Sequence, residues 1–276
     1  MNHDILARNI LLLDCLEKLE KELPENVRFI ALKGAFLLLS KAANPAVRQM
    51  SDLDILIKPQ EKEIFFQALS KMGFKRMPFS DSAWFRERGK GPPEAVDIHF
   101  CITGFGSDVP WTRAEKLSLK ALSLPPEYNF LHIISHTMIN HGSLGEKEKS
   151  DLKAICLMEQ EKGRLYELAR DVLTLAREKK MSFLFARAAA EVWGLDTGKY
   201  GFSFMEKILS PLLGRMLSAE RKTNEYVLEA FYCPEIFLAR FSPTKRYLRD
   251  NYGSASAVAY LQFLKNKIKN FSRRKS

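Results

Sequence analysis

The chain has 276 residues, of which 46% are hydrophobic and 11% aromatic, and its formal net charge is +10. A chain of this length and composition buries a sizeable apolar core, which excludes a wholly disordered protein. No run reaches the roughly 18 to 20 apolar residues that a membrane-spanning helix needs, because Lys33 interrupts the most apolar stretch, residues 29–39.

Cysteine usage and the first residues predict a cytoplasmic location. The four cysteines, Cys15, Cys101, Cys156 and Cys233, have no paired spacing. Such scattered cysteines are typical of reduced thiols rather than of a disulfide framework or a zinc knuckle. The N-terminal residues lack a basic segment that leads into an apolar one, so we expect no export signal.

Helical and strand patterns alternate in the N-terminal part of the chain. Apolar residues recur at helical spacing over 5–23, 34–43 and 60–72, and Gly73 predicts the end of the last of these helices. Short apolar or alternating runs predict strands over 27–32, 53–57, 74–77, 83–87 and 95–102. A Gly-Lys-Gly-Pro-Pro loop before the last strand is typical of a hairpin. We therefore predict a small mixed sheet with flanking helices.

After Pro125 and Pro126 only helical patterns follow. They cover residues 131–140, 149–161, 165–179, 183–192, 223–231 and 255–271. The change of pattern predicts an α+β fold in two parts, an α+β domain over residues 1–122 and an all-helical domain over residues 123–276.

Most of the positive charge lies near the C-terminus. Residues 201–276 contain 14 Lys or Arg and 6 Asp or Glu, so they contribute 14 − 6 = +8 of the total. This basic C-terminal quarter is a candidate for contact with nucleic acid or an anionic membrane. The alternative is a solvated helix end whose cations complement the helix dipole.

Two aspartates stand at the start of an apolar strand pattern, in Ser51-Asp52-Leu53-Asp54-Ile55. Because side chains alternate along a strand, Asp52 and Asp54 are expected on one face. Like charges about 7 Å apart on a strand repel each other, and a shared divalent cation, naturally Mg²⁺, is a reason to place them there. The strand at 95–102 repeats the design with Asp97 and His99 on one face. The alternative is an ordinary surface Asp-x-Asp pair.

A lysine and a glycine mark the predicted turn between the first strand and the second helix, in Leu32-Lys33-Gly34-Ala35. Such a turn presents backbone N–H groups and the positive end of the helix dipole, which suits a phosphate. A lysine inside an apolar run either extends its amine to the surface or meets an anion, and the sequence leaves both open.

Taken together, these segments resemble a bacterial and archaeal family of uncharacterised nucleotidyltransferases, whose fold belongs to the DNA polymerase beta superfamily. The resemblance is carried by Leu32-Lys33-Gly34-Ala35, by Arg48 with Ser51-Asp52-Leu53-Asp54-Ile55-Leu56, and by Val96-Asp97-Ile98-His99-Phe100. One departure is that the superfamily's usual Gly-Ser turn is Gly34-Ala35 here, so a serine contact is missing and Lys33 is expected to replace it.

The resemblance implies the roles of eight residues in a nucleotidyltransferase-like mixed sheet. Catalytic carboxylates that bind two Mg²⁺ ions are implied at Asp52, Asp54 and Asp97. Nucleotide-binding roles are implied for Lys33, Gly34, Arg48, Ser51 and His99. A plain salt bridge is the alternative for Arg48, and simple packing is the alternative for His99.

The implied reaction is the Mg²⁺-dependent transfer of a nucleoside monophosphate, AMP from ATP, to an acceptor with release of pyrophosphate. Two ions about 3.5 to 4 Å apart would assist the attacking and leaving oxygens. The acceptor, chosen by the helical domain, stays open between a small molecule, a protein and RNA. The alternatives are a toxin-like nucleotidyltransferase that modifies transfer RNA, and a non-catalytic nucleotide-binding or interaction protein.

Three histidines early in the helical part raise the alternative of a zinc site. His132 and His136 are four residues apart on a predicted helix, and His141 follows. No glutamate directly follows the first histidine, so the metalloprotease signature is absent. Helix packing is the favoured interpretation, with His141, Lys149 and Asp151 as candidates for a helical wall beside the site.

Overall fold

The structure is a computed structural model that describes residues 3–77, 80, 82–89, 91–105, 109–194, 256, 260–263 and 265. The chain forms two compact units. The first contains residues 1–102, 107–133 and 145–175, and the second contains residues 103–106, 134–144 and 176–276. The predicted helix at 223–231 and most of the one at 255–271 lie outside the described residues.

The predicted α+β class is confirmed, with a mixed sheet and flanking helices. The α-helices are α1 (His3–Glu22), α2 (Lys33–Leu39), α3 (Lys62–Lys71), α4 (Pro126–His141), α5 (Glu146–Glu161), α6 (Leu165–Glu178) and α7 (Ser182–Trp193). The strands are β1 (Phe29–Ala31), β2 (Leu53–Leu56), β3 (Lys75–Arg76), β4 (Ala83–Arg88), β5 (Gly91–His99), β6 (Glu115–Lys116) and β7 (Ala121–Ser123). Among the described residues, no helix is long and apolar enough to cross a membrane.

The sheet has seven strands in the order β3-β4-β5-β2-β1-β7-β6. The pairs β2·β5 and β1·β7 are parallel, and the other neighbouring strands are antiparallel. Every residue of β1 and β2 is buried. Strand β1 is a continuous apolar run, and β2 departs from one only at Asp54, as expected for strands covered on both faces of the sheet.

Two features of the sheet were not predicted from the sequence. Strands β6 and β7 are only two and three residues long, and their residues show no alternating run. The predicted boundary after residue 122 falls inside β7 and inside the first compact unit. The division into 1–122 and 123–276 stays a prediction, since much of the second range lies outside the described residues.

Helix α1 packs its apolar stripe, with Leu12, Leu16 and Leu19 fully buried, and carries a buried carboxylate near its end. Glu20 Oε1 accepts hydrogen bonds from the backbone N–H groups of Lys120 at 2.7 Å and Ala121 at 2.8 Å. The hydroxyl of Ser118 donates to the same oxygen. One buried acceptor therefore anchors the turn between β6 and β7 to α1.

Candidate active site

The register of two central strands brings two of the predicted carboxylates together. Strand β2 runs parallel to β5, with Asp54 opposite Asp97 and Leu56 opposite His99. Paired residues of neighbouring strands project their side chains on the same face of the sheet. The Asp54 side chain is only 10% exposed, whereas that of Asp97 is 36% exposed, so the group opens to solvent on the Asp97 side.

His99 completes a group of three potential metal ligands. Its Nε2 lies 2.9 Å from Asp54 Oδ1 and 3.7 Å from Asp97 Oδ2. Asp54, Asp97 and His99 each offer one ligand atom, and these atoms all lie within 4.8 Å of one another. Such close spacing of two carboxylates and an imidazole suits a divalent cation.

Lys33 reaches the same group from the turn between β1 and α2. Its Nζ lies 2.7 Å from Asp54 Oδ1, and its side chain is 19% exposed. The Lys33 backbone has a φ of 46°, a left-handed conformation that is uncommon for a residue with a side chain. Of the two possibilities that the sequence left open, the lysine meets an anion.

The electrostatics of Asp54 follow from these two neighbours. Burial alone would raise the pKa of Asp54, because it disfavours the charged form. The hydrogen bond with His99 and the positive charge of Lys33 outweigh burial and hold the pKa well below its usual range. Asp54 is therefore ionised at neutral pH and available as a ligand.

One oxygen of Asp97 distinguishes this group from a closed network of ion pairs. Asp97 Oδ1 is buried and has no hydrogen-bond partner within the described part of the chain. A buried carboxylate oxygen without a donor is costly, and a bound cation would satisfy it. The donor set and this oxygen both fit a divalent metal.

The other half of the Asp-x-Asp motif lies just before β2. Asp52 is half-buried and accepts a hydrogen bond of 2.8 Å from the hydroxyl of Ser51, which is exposed. Asp52 does not belong to the three-residue ligand group. The roles predicted for Asp52 and Ser51 stay predictions.

Gly34 packs against Met50 and Arg48, in the segment that leads into the Asp-x-Asp motif. A Cβ added to Gly34 would lie 2.8 Å from Met50 Cγ and 3.4 Å from Arg48 Nη2. A methyl group has no room there, so the close approach of Met50 explains why glycine occupies this position. Its predicted contact with a phosphate stays a prediction.

Arg48 forms the salt bridge that the sequence offered as the alternative to a nucleotide contact. Its Nε donates to Asp151 Oδ1 at 2.5 Å and its Nη2 to Asp151 Oδ2 at 2.8 Å. The third nitrogen, Nη1, donates to the carbonyl of Gln49. Both side chains are buried, so Asp151 of α5 does lie beside the segment that precedes the motif. A direct contact between Arg48 and the nucleotide stays a prediction.

Comparison with known proteins identifies the family. A family model described as an uncharacterised nucleotidyltransferase matches residues 2–193. The chain belongs to this family. Nucleotidyltransferases act on a nucleoside triphosphate and an acceptor, and the resemblance predicted from the sequence is confirmed.

A solved structure is similar to this nucleotidyltransferase. Its structure is similar to the solution structure of the antibiotic-resistance factor ANT(2'')-Ia, with a TM-score of 0.44 and 10% sequence identity. That similarity covers 63% of this chain and 94% of the other. No protein with a curated description matches the chain.

The structure also shows residues of the nucleotidyltransferase that the sequence did not single out. Asn9 of α1 is fully buried, its Nδ2 donates to the carbonyls of Pro45 and Arg48, and its Oδ1 accepts from the N–H of Met50. Arg8 donates to the carbonyls of Met50 and Ser51 at 2.9 and 2.6 Å. Helix α1 therefore holds the segment that leads into Asp52 and Asp54.

The three histidines of the zinc alternative form no ligand group among the described residues. His132 is buried, with 1% of its surface exposed. The rings of His136 and His141 lie 6.2 Å apart, centroid to centroid. The packing interpretation agrees with this arrangement. The predicted contact of the basic C-terminal quarter with nucleic acid falls almost entirely on residues outside the described part of the chain.

Proposed function

We propose that this nucleotidyltransferase transfers AMP from ATP to an acceptor hydroxyl, with Mg²⁺ and release of pyrophosphate. The observation that carries the proposal is the Asp54–Asp97–His99 group, with a buried carboxylate oxygen that has no donor in the described residues. In this reaction the acceptor oxygen bonds to the α-phosphorus, and the bond from that phosphorus to the pyrophosphate oxygen breaks.

Asp54 and Asp97 would hold the metal, with His99 beside them and Asp52 as a further ligand. A bound divalent metal supplies charge neutralisation and activation of the acceptor oxygen. The register of β2 and β5 fixes the spacing of Asp54 and Asp97 before any ligand binds, so the carboxylates are preorganised.

Lys33 would face the phosphates of the nucleotide. Its amine lies at Asp54 Oδ1, at the edge of the ligand group, and the turn that carries it also carries Gly34. A positive charge there stabilises the negative charge that collects on the leaving pyrophosphate. Ser51 and His99 complete the proposed nucleotide-binding set, and Arg48, whose charge is paired with that of Asp151, supports it from the adjoining segment.

Asp97 would accept the proton that the acceptor hydroxyl loses. Its side chain is the most exposed of the three in the group, and its Oδ1 has no hydrogen-bond donor in the described residues. An acceptor that enters from the solvent side would meet this carboxylate first. Proton transfer to a positioned carboxylate contributes about 10²- to 10⁴-fold to rate.

The first test measures nucleotide binding by calorimetry with and without Mg²⁺. We expect ATP to bind the wild-type protein in a Mg²⁺-dependent manner and to lose that dependence in Asp54→Asn and Asp97→Asn. The matched control is Glu127→Gln, which changes a buried carboxylate of α4 that pairs with Arg113. Equal Mg²⁺-dependent affinity in all four proteins would overturn the metal-site assignment.

The second test identifies the acceptor. The wild-type protein is incubated with ATP labelled at the α-phosphate and with cell lysate separated into small-molecule, protein and RNA fractions. Label transferred to one fraction by the wild type, but not by Asp97→Asn, names the acceptor class. Transfer to RNA would favour the toxin-like alternative, and no transfer to any fraction would favour a non-catalytic protein.

A further inference from the structure

The Arg48–Asp151 ion pair joins two segments that are far apart in sequence. The residues are 103 positions apart, and their side chains are 9% and 5% exposed. Two parallel hydrogen bonds connect the guanidinium to the carboxylate, which fixes orientation as well as distance. The pair therefore attaches α5 to the segment that leads into the Asp-x-Asp motif.

The guanidinium also lies against the turn that carries Lys33. Arg48 Nη2 would be 3.4 Å from a Cβ on Gly34, the residue after Lys33. The carbonyl of Arg48 accepts a hydrogen bond of 2.6 Å from Asn9. One side chain thus contacts α5 and the Gly34 turn, while its backbone is tied to α1.

Stability is a poor explanation for this pair. Burial raises the pKa of Asp151 even though the hydrogen bond and charge of Arg48 act to lower it, so desolvation outweighs the attraction. Buried ion pairs can often be replaced by apolar residues of similar volume with no loss of stability. What an arginine fork on a carboxylate adds is a fixed geometry that apolar contacts do not impose.

We infer that Arg48 and Asp151 are positioning residues that fix the Gly34 turn and residues 45–51 in the arrangement that binds the nucleotide. Each of the three nitrogens of Arg48 donates a hydrogen bond within the protein, and the side chain is only 9% exposed, so we assign Arg48 a role through its neighbours. This inference rests on the proposed function. It gives a specific role to Asp151 of α5, which the sequence offered only as a candidate for the helical wall beside the site.

The double variant Arg48→Met, Asp151→Leu distinguishes an effect of the ion pair on nucleotide binding from an effect on stability. Thermal unfolding is compared with the Mg²⁺-dependent affinity for a non-hydrolysable ATP analogue, measured by calorimetry. We expect an unchanged or higher melting temperature together with an affinity that is about 10- to 100-fold weaker. Wild-type affinity in the double variant would overturn the inference.

Two single variants keep the test decisive if the double variant does not fold. Arg48→Lys retains the charge but loses the fork, and Asp151→Asn retains the shape but loses the charge. We expect each to weaken analogue binding about tenfold or more. Wild-type affinity in Arg48→Lys would show that charge alone is needed, which would overturn the positioning role.

The control variant is Glu127→Gln, which weakens a different Arg–carboxylate pair, and its affinity should equal that of the wild type. A wild-type protein that binds no analogue with Mg²⁺ overturns the proposed function itself. Binding by the wild type with unchanged binding in Arg48→Lys and Asp151→Asn overturns only the positioning role. The two failures are therefore distinguishable.

Discussion

Two carboxylates in the first compact unit each have a buried oxygen, and they differ in how that oxygen is satisfied. Glu20 Oε1 accepts hydrogen bonds from two backbone N–H groups and one hydroxyl of a single turn. Asp97 Oδ1, in contrast, is buried and lacks a donor in the described residues, and its neighbours are another carboxylate and a histidine. The structural carboxylate of Glu20 is thus satisfied by donors within the protein, whereas one oxygen of the candidate-site carboxylate has no donor among the described residues.

The largest expected effect is the loss of activity on substitution of Asp97, the carboxylate with an oxygen that lacks a donor among the described residues. Asp97→Asn should lower nucleotidyl transfer by about 1,000-fold, because the proposed metal ligand and proton acceptor are lost together. The free energy of unfolding should change by less than about 1 kcal/mol or rise, since like charge beside Asp54 is removed. Turnover of labelled ATP and urea denaturation measure the two quantities. A large loss of stability in this variant would show that Asp97, like Glu20, has a structural role.

For Glu20, whose oxygen is fully hydrogen-bonded, we expect the reverse: a loss of stability with no loss of ATP affinity. Glu20→Met removes the acceptor of Lys120 and Ala121, whose buried N–H groups are then left unpaired, at a cost of about 2 to 4 kcal/mol. Urea denaturation measures the loss, and calorimetry should show unchanged ATP affinity in the folded protein. Glu17→Met on the same helix changes an exposed residue that pairs with Lys21, and it should alter stability by less than about 0.5 kcal/mol.

Substitution of Asn9 should affect both stability and binding, because its side chain is a buried structural group that holds the 45–51 segment beside the candidate site. Asn9→Ala removes the donor for two carbonyls and the acceptor for one N–H, which should cost about 2 kcal/mol of stability. We expect ATP affinity to fall about threefold as the 45–51 segment loosens. Denaturation and calorimetry on the same samples provide the check. Unchanged affinity would limit the role of Asn9 to folding.

The smallest effect concerns Cys156, a half-buried thiol whose pKa is shifted by burial alone. Burial raises the pKa of the Cys156 thiol to about 11, the opposite direction to Asp54, whose partners lower its pKa. The thiolate is the reactive form, so about one thiol in 1,000 is reactive at pH 8. Iodoacetamide should therefore modify Cys156 far more slowly than a free thiol. As the pH is increased, the rate should rise about tenfold per pH unit until the pH approaches 11. Mass spectrometry of timed samples measures this rate, and rapid modification at pH 8 would contradict the effect of burial.

The sequence predicted the parts of the site that follow from local alternation. Asp54, Asp97 and His99 each sit on strands whose apolar neighbours identify the opposite face, and Lys33 interrupts an apolar run. The partner of Arg48 could not be predicted, because pairing with Asp151 depends on how α5 packs. Asn9 looks like any polar position of an amphipathic helix, and its burial becomes visible only with the 45–51 segment in place.

The strand patterns show the same division between local and long-range information. The runs at 53–57 and 95–102 are long enough to identify β2 and β5, but nothing in either run indicates that the two strands pair in parallel with Asp54 opposite Asp97. Strands β6 and β7 are too short to produce a pattern, and they are defined by pairing with each other and with β1.

The separation of Arg48 from Asp151 also bears on how the protein is made. A chain that emerges from the ribosome from its N-terminus can form β1, α2 and β2 well before α5 exists. Closing a loop of about 100 residues is slow compared with forming local contacts. During part of synthesis, therefore, the Arg48 guanidinium has not yet paired with the Asp151 carboxylate. The Gly34 turn and the Asp-x-Asp motif are therefore expected to reach their final arrangement late in folding, after α5 has docked.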